Sequence, residues 1–187
     1  MGTARACVTA FLLLGLAISG CGKQETPPAP APKPAKPDPA VVSSFDDCVA
    51  AGYPVAESYP PQCRSPDGRS FTEDVGNRVE KQGLIQVDEP TPNQVISSPL
   101  TIHGKARGPW YFEASFPVYL KDAGGAVLAT GIVQANGEWM TEDFVPFQVT
   151  LTFTAPAGAR RGTLVFEKSN ASGLPEHDDQ LVVPVKF

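Results

Sequence analysis

The stretch GKARGPWYFEASFPVYLKDAGGAVLATG, Gly104–Gly131, decides what kind of fold the chain can adopt. Phe116, Val118 and Leu120 alternate with Pro117 and Tyr119, a period of two that places the apolar side chains on one face of an extended strand. Asp122-Ala123-Gly124-Gly125 is a turn signal and Val127-Leu128-Ala129 resumes the apolar run, so the segment reads as two strands joined by a turn.

The same pattern continues on both sides. Upstream lie Leu84-Ile85-Gln86-Val87 and Leu100-Thr101-Ile102-His103; downstream lie Val149–Phe153, Leu164-Val165-Phe166 and Leu181–Val185. Pro90-Thr91-Pro92-Asn93 and Asn136-Gly137 supply further turns. About seven short strands in roughly 104 residues, with no βαβ alternation and no competing amphipathic helix, predict an all-β fold. The expected architecture is a two-sheet antiparallel sandwich of immunoglobulin type over residues 84–187.

Composition agrees with that reading. In 187 residues, 20 prolines and 17 glycines favour turns and extended segments over helices, and a hydrophobic content of 42% is enough for one core. The formal charge of −5 and the absence of any basic block longer than Arg160-Arg161 argue against nucleic acid as a partner.

The four cysteines fall into two groups. Cys7 and Cys21 lie in the first apolar segment, Cys48 and Cys63 beyond a Pro-rich run. Ala6–Ile18 is an apolar run of about 13 residues after Arg5, the length of an export signal and shorter than the roughly 20 needed to cross a bilayer. Its end, Ile18-Ser19-Gly20-Cys21, resembles the bacterial lipobox. That resemblance implies a signal peptide over 1–20, cleavage between Gly20 and Cys21, and a diacylated Cys21 thiol whose new N-terminus is also acylated. Two or more acyl chains at about 0.8 kcal/mol per buried methylene anchor durably, where a single chain holds only marginally. The alternative is a secreted protein whose Cys21 stands there by chance. With Gly22 rather than Asp after the cysteine, the resemblance to sorted lipoproteins implies the outer membrane in a diderm organism, and otherwise the outer face of the cytoplasmic membrane.

From Glu25 to Ala40 nearly every second residue is proline, interspersed with alanine and lysine, within a linker read as residues 21–44. Such a composition buries no core and prefers polyproline II, which at about 3.1 Å per residue reaches roughly 50 Å. A spacer is expected; a ligand for an aromatic groove is the alternative. Cys48 and Cys63, fifteen positions apart in residues 45–76, are expected to form a disulfide worth about 3 kcal/mol in the chain-entropy model. Val49-Ala50-Ala51 ended by Gly52 predicts a helical turn or two, and Pro66-Asp67-Gly68 a tight turn. Two cysteines without a nearby histidine do not make a zinc site, so no metal and no cofactor is expected there. The segment is similar to a small cysteine-paired module of bacterial exported proteins that has no assigned activity.

The C-terminal domain also resembles a family. Gly104-x-Ala106, Trp110–Glu113, Trp139-Met140-Thr141, Phe144–Phe147 and Ser169-Asn170-x-Ser172-Gly173, in that order, resemble the immunoglobulin-like domain of bacterial spore germination, a GerM-associated family. The resemblance covers about Leu84–Phe187 and implies an extracytoplasmic sandwich without assigned catalytic activity. The companion domain of the spore context is missing, so germination is not carried over.

For a binding surface, Trp110, Tyr111, Glu113, Trp139, Asp143 and Phe144 are the candidates, and packing in the core is the competing role for the tryptophans. Glu113 is read as lying in an alternating strand, with Arg107 as its nearest partner or with no partner but water. Glu142, Asp143, Glu176, Asp178 and Asp179 form no spaced calcium loop and are expected to be solvated. Catalysis finds little material: His103 and His177 are the only histidines, and a Ser172–His177–Asp178 set is disfavoured because adjacent residues rarely converge. The expectation is a non-catalytic, lipid-anchored envelope protein held at the membrane through Cys21, binding an envelope protein, a glycan or peptidoglycan. The alternative is an inhibitor or accessory subunit of an envelope hydrolase, engaged through an exposed loop at Tyr53–Gln62, or a hydrolase itself.

Overall fold

The structure, a computed structural model, describes residue 38 and residues 41–187. The apolar leader, Cys21 and most of the Pro-rich run lie outside the described residues.

Beyond the linker, Ser44 caps a helix, α1 (Phe45–Ala50). Its Oγ accepts the Asp47 N–H at 3.1 Å, and Asp46 and Asp47 bring negative charge to the helix N-terminus. The Asp47 carboxylate accepts the Ser43 hydroxyl at 2.8 Å, and this bond, with those from Ser44 and the Ser43 backbone, holds its pKa below the ordinary value. Gly52, at φ +71, ends the helix in the left-handed conformation that glycine adopts without a Cβ clash. Three short strands follow: β1 (Val55–Ala56), β2 (Gln62–Arg64) and β3 (Ser70–Thr72). They form an antiparallel sheet in the order β1-β2-β3. The Cys48–Cys63 disulfide ties α1 to β2, and Val42, Ala51 and Tyr53 pack around it with Phe45 and Phe71. The helix and the Pro66-Asp67-Gly68 turn are where the sequence places them. The strands carry no periodicity to read, because each is only two or three residues long.

Seven strands build the second core: β4 (Ile85–Glu89), β5 (Leu100–Arg107), β6 (Ser115–Asp122), β7 (Val127–Ala135), β8 (Phe144–Leu151), β9 (Arg161–Glu167) and β10 (Gln180–Lys186). The ladder runs β10-β9-β6-β7-β8-β5-β4 and is antiparallel throughout. β7 and β8 pair only at Gln134↔Gln148 and Ala135↔Phe147, and there the strip folds over on itself. Phe147 of β8 lies 5.3 Å from Phe116 of β6, edge to face, and 6.3 Å from Phe166 of β9. Strands two and three places apart along the ladder touch only if β4-β5-β8 and β10-β9-β6-β7 are opposed layers. The fold is therefore the predicted immunoglobulin-like sandwich, its two layers joined through one short seam.

Alternation explains the core. β6 buries Phe116, Val118 and Leu120, and β5 buries Leu100, Ile102 and Ala106, against Val133, Phe147, Leu164 and Phe166. Residues of this kind contribute roughly 1.5–3 kcal/mol each on burial. β8 departs from the sequence reading, beginning at Phe144 and ending at Leu151 instead of spanning Val149–Phe153. Pro146 hides its start. That residue turns its backbone away from β5, and its carbonyl accepts the Asn136 N–H at 2.8 Å just beyond the end of β7, where a missing donor interrupts no ladder. A four-residue helix, α2 (Arg78–Lys81), stands where the sequence reads only as polar.

Side chains hold the first core to the second. Asp46 accepts Arg161 Nη2 at 2.7 Å and Lys186 Nζ at 3.1 Å, and Asn93 Nδ2 donates to the Asp74 carbonyl at 2.7 Å. Asn77 Nδ2 donates to the Gln180 carbonyl at 2.9 Å while its Oδ1 accepts the Val182 N–H at 2.7 Å, capping the outer edge of β10 as a short strand would.

Candidate binding surface

At the end of β5 the chain turns through a 3-10 segment, Gly108–Trp110. The loop between β7 and β8, residues 136–143, crosses over it so closely that a Cβ on Gly108 would collide with the carbonyl oxygens of Trp139 and Thr141. Only glycine lets the two backbones meet there. Arg107 locks the crossing. Its Nε donates to the Gly83 carbonyl at 2.8 Å, its Nη1 donates to the Glu142 carbonyl at 2.7 Å, and its guanidinium lies 4.5 Å from the centre of the Phe144 ring.

Arg107 is thus committed to two backbone carbonyls and an aromatic face, and the pairing with Glu113 does not form. Glu113 is also not in a strand. Phe112 and Ser115 exchange both backbone hydrogen bonds at 3.1 Å around Glu113 and Ala114, whose φ values are +50 and +59. This is a two-residue turn with both central residues left-handed, the conformation that Asn-Gly normally supplies. Glu113 therefore projects into solvent from a strained tip.

The aromatic residues divide. Trp110 is 2% exposed and Tyr111 3% exposed, so both belong to the core and neither can form a contact surface. The Tyr111 hydroxyl donates to the Val145 carbonyl at 2.9 Å. Burial disfavours its phenolate and pushes its pKa up to about 12. Trp110 Nε1 is buried without a hydrogen-bond partner among the described residues. Trp139 and Phe144 are half-buried, and Asp143 is exposed. The apolar groups that do face solvent are Met140, 73% exposed, and Phe112, 46% exposed. A groove of about 410 Å³ runs between the two segments, with Pro109, Trp139, Met140, Thr141 and Glu142 along it and Gly108 and Tyr111 at its floor. Met140 had one sequence signal, an apolar residue that with Trp139 interrupts an otherwise polar turn, Asn136–Asp143.

The remaining candidates are dispersed. Asp178 accepts Asn170 Nδ2 at 2.7 Å and Asp179 pairs with Lys81 at 2.6 Å. Among the described residues no group of three or more acidic, histidine or cysteine side chains is placed to hold a metal ion. Ser172 Oγ donates to Asn170 Oδ1 at 2.6 Å, so its hydroxyl serves the loop rather than His177. His103 stands exposed on β5. The Ser169–Gly173 motif has a structural explanation: Ser169 N–H donates to the Trp110 carbonyl at 3.0 Å and its Oγ to the Ser115 carbonyl at 2.8 Å, pinning the base of the strained turn.

Residues 84–173, just under half of the chain, match the family model described as the immunoglobulin-like domain of bacterial spore germination. Over those residues the C-terminal domain is similar to that family. β10 lies beyond the matched residues, yet it pairs with β9 along its whole length and contributes Leu181, Val183 and Val185 to the core, so the folded domain extends to the chain end. The chain matches no curated protein and no solved structure.

Proposed function

We propose that the chain is a lipid-anchored envelope protein whose immunoglobulin-like domain binds another envelope protein through the groove at the Met140 end of the sandwich. The carrying observation is the exposure of Met140 in that groove while the backbone two residues on, at Glu142, is clamped by Arg107. A flexible thioether on a fixed scaffold adapts to a protein surface, and exposed apolar groups on a soluble domain mark contact sites. Anchoring rests on the lipobox resemblance at Cys21, with the Pro-rich run as spacer.

The test compares the full chain with its Met140→Glu variant. Retention of a discrete envelope protein that the variant loses at unchanged melting temperature supports the reading. Equal retention by both dismisses the groove, and retention of purified peptidoglycan in place of protein reassigns the ligand. Globomycin-type inhibition of the lipobox peptidase is expected to accumulate precursor, whereas an unaffected soluble product removes the anchor.

One observation favours the second reading, an inhibitor or accessory subunit. The hairpin of β1 and β2 is anchored at Cys63 by the disulfide and presents Val55 on β1 and Tyr59 on its loop, 44% and 59% exposed. Inhibition of an envelope hydrolase that is lost in Tyr59→Ala would favour it over the groove.

A further inference from the structure

The groove at the Met140 end carries a sulfur whose chemistry binding does not use. Two-electron oxidants attack thiolates and thioethers, and attack follows exposure. Cys48 and Cys63 are already joined as a disulfide and fully buried, while Cys7 and Cys21 lie outside the described residues. The chain has two methionines, Met1 and Met140. Met140 is therefore the only sulfur among the described residues that is both unoxidised and open to water, at 73% exposure.

Its surroundings favour a clean reaction. The backbone that carries it is fixed on both sides: Met140 N–H donates to Glu138 Oε1 at 3.0 Å, Thr141 N–H to the Trp139 carbonyl at 2.8 Å, and Arg107 holds the Glu142 carbonyl at 2.7 Å. Glu138, Glu142 and Asp143 flank the position and are exposed. Their charge repels anionic oxidants and leaves access to neutral ones such as hydrogen peroxide. Met140 belongs to neither hydrophobic core, so a polar change there leaves the packing of the sandwich intact.

We propose that Met140 is a reversible oxidation site and that its sulfoxide is the non-binding state of the groove. The thioether sulfur attacks one peroxide oxygen with an electron pair, the S–O bond forms as the O–O bond breaks, and the remainder of the peroxide leaves as water; sulfur is oxidised by two electrons and peroxide reduced by two. A thiol-dependent sulfoxide reductase reverses the step, its two thiols becoming a disulfide while the oxygen leaves as water. The flexible apolar side chain becomes polar and chiral. A partner that buries the thioether must then desolvate a strong hydrogen-bond acceptor in its place, which opposes binding. This gating rests on the groove being the contact surface.

The full chain is treated with hydrogen peroxide, cleaved after glutamate, and mapped by tandem mass spectrometry, in which Trp139-Met140-Thr141-Glu142 is a single peptide. Met140 is expected to gain one oxygen atom at a rate within about tenfold of that of free methionine, with Trp110 and Trp139 unmodified, far-UV CD unchanged, and the added mass removed by the two epimer-specific reductases together. Retention of envelope protein from a detergent extract is expected to fall about fivefold or more on oxidation, as at a contact residue near an interface centre, and to recover after reduction. In Met140→Leu the same treatment is expected to leave retention at that variant's own untreated value. Slower oxidation than this, or modification of Trp139 ahead of Met140, would overturn the oxidation site. Equal retention before and after complete oxidation, by a chain whose retention Met140→Glu abolishes, would overturn the switch and leave the groove standing. No retention by the untreated chain would refute the groove and the gating together.

Discussion

Replacing Arg107 by alanine tests how the proposed surface is held. The substitution removes two charge-assisted hydrogen bonds, to the Gly83 and Glu142 carbonyls at 2.8 and 2.7 Å, and the stacking on Phe144 at 4.5 Å. A hydrogen bond from a charged donor contributes about 1.5–3 kcal/mol when shielded and less near solvent, and a partly exposed cation–π contact about 0.5–1 kcal/mol. Because these groups border water, the expected loss is about 2–3 kcal/mol, or roughly 6–12 °C in melting temperature for a domain of this size. Arg107→Lys keeps the charge but cannot reach both carbonyls with a planar fork, so about half the loss is expected. Glu113→Gln is the discriminating control. Since Glu113 lies in the exposed turn away from these contacts, its substitution is expected to leave the melting temperature within about 1 °C. Thermal unfolding of the three variants, followed by CD, decides the matter. A Glu113→Gln loss as large as that of Arg107→Ala, or an Arg107→Ala variant as stable as wild type, would refute the clamp.

Tyr111→Phe removes the hydroxyl's bond to the Val145 carbonyl and is expected to cost about 1 kcal/mol at pH 8 by urea unfolding. Because burial raises the Tyr111 pKa from 10.0 to about 12, its contribution is complete below about pH 10 and is lost as pH rises through 12; the wild-type advantage over Tyr111→Phe should shrink across that window, and an advantage constant to pH 12 would contradict the assignment. Ala114→Gly, or Glu113→Asn, relieves a left-handed residue in the strained turn and is expected to stabilise by about 0.5–1 kcal/mol, read as a higher melting temperature. Reduction of Cys48–Cys63 removes about 3 kcal/mol from the first core only, so near-UV CD from Trp110 and Trp139 should persist where the cystine signal disappears.

How much of this was legible can be followed residue by residue. Phe116, Val118 and Leu120 alternate in the sequence and are buried together in β6, and Leu100, Ile102 and Ala106 do the same in β5. The Cys48–Cys63 pairing was readable because only two cysteines follow the linker. Pro146 concealed the first half of β8, since whether its missing donor matters depends on where β7 ends. Trp110 and Tyr111 share a segment with Phe112, and nothing local tells which of the three faces inward; the opposing layer decides. Glu113-Ala114 carries neither the asparagine nor the glycine that announces a left-handed turn. The partners of Arg107 lie 24 and 35 positions away on backbone carbonyls, which leave no trace in side-chain identity.

A photo-reactive phenylalanine analogue placed at Met140, in cells that make the full chain, puts the reporter on the proposed contact surface, and the same analogue at His103 on the outer face of β5 serves as control. A discrete adduct with an envelope protein from position 140 and none from 103 is the predicted result. Adducts of equal yield from both positions, or none from 140, would contradict a protein-binding surface at this end of the sandwich.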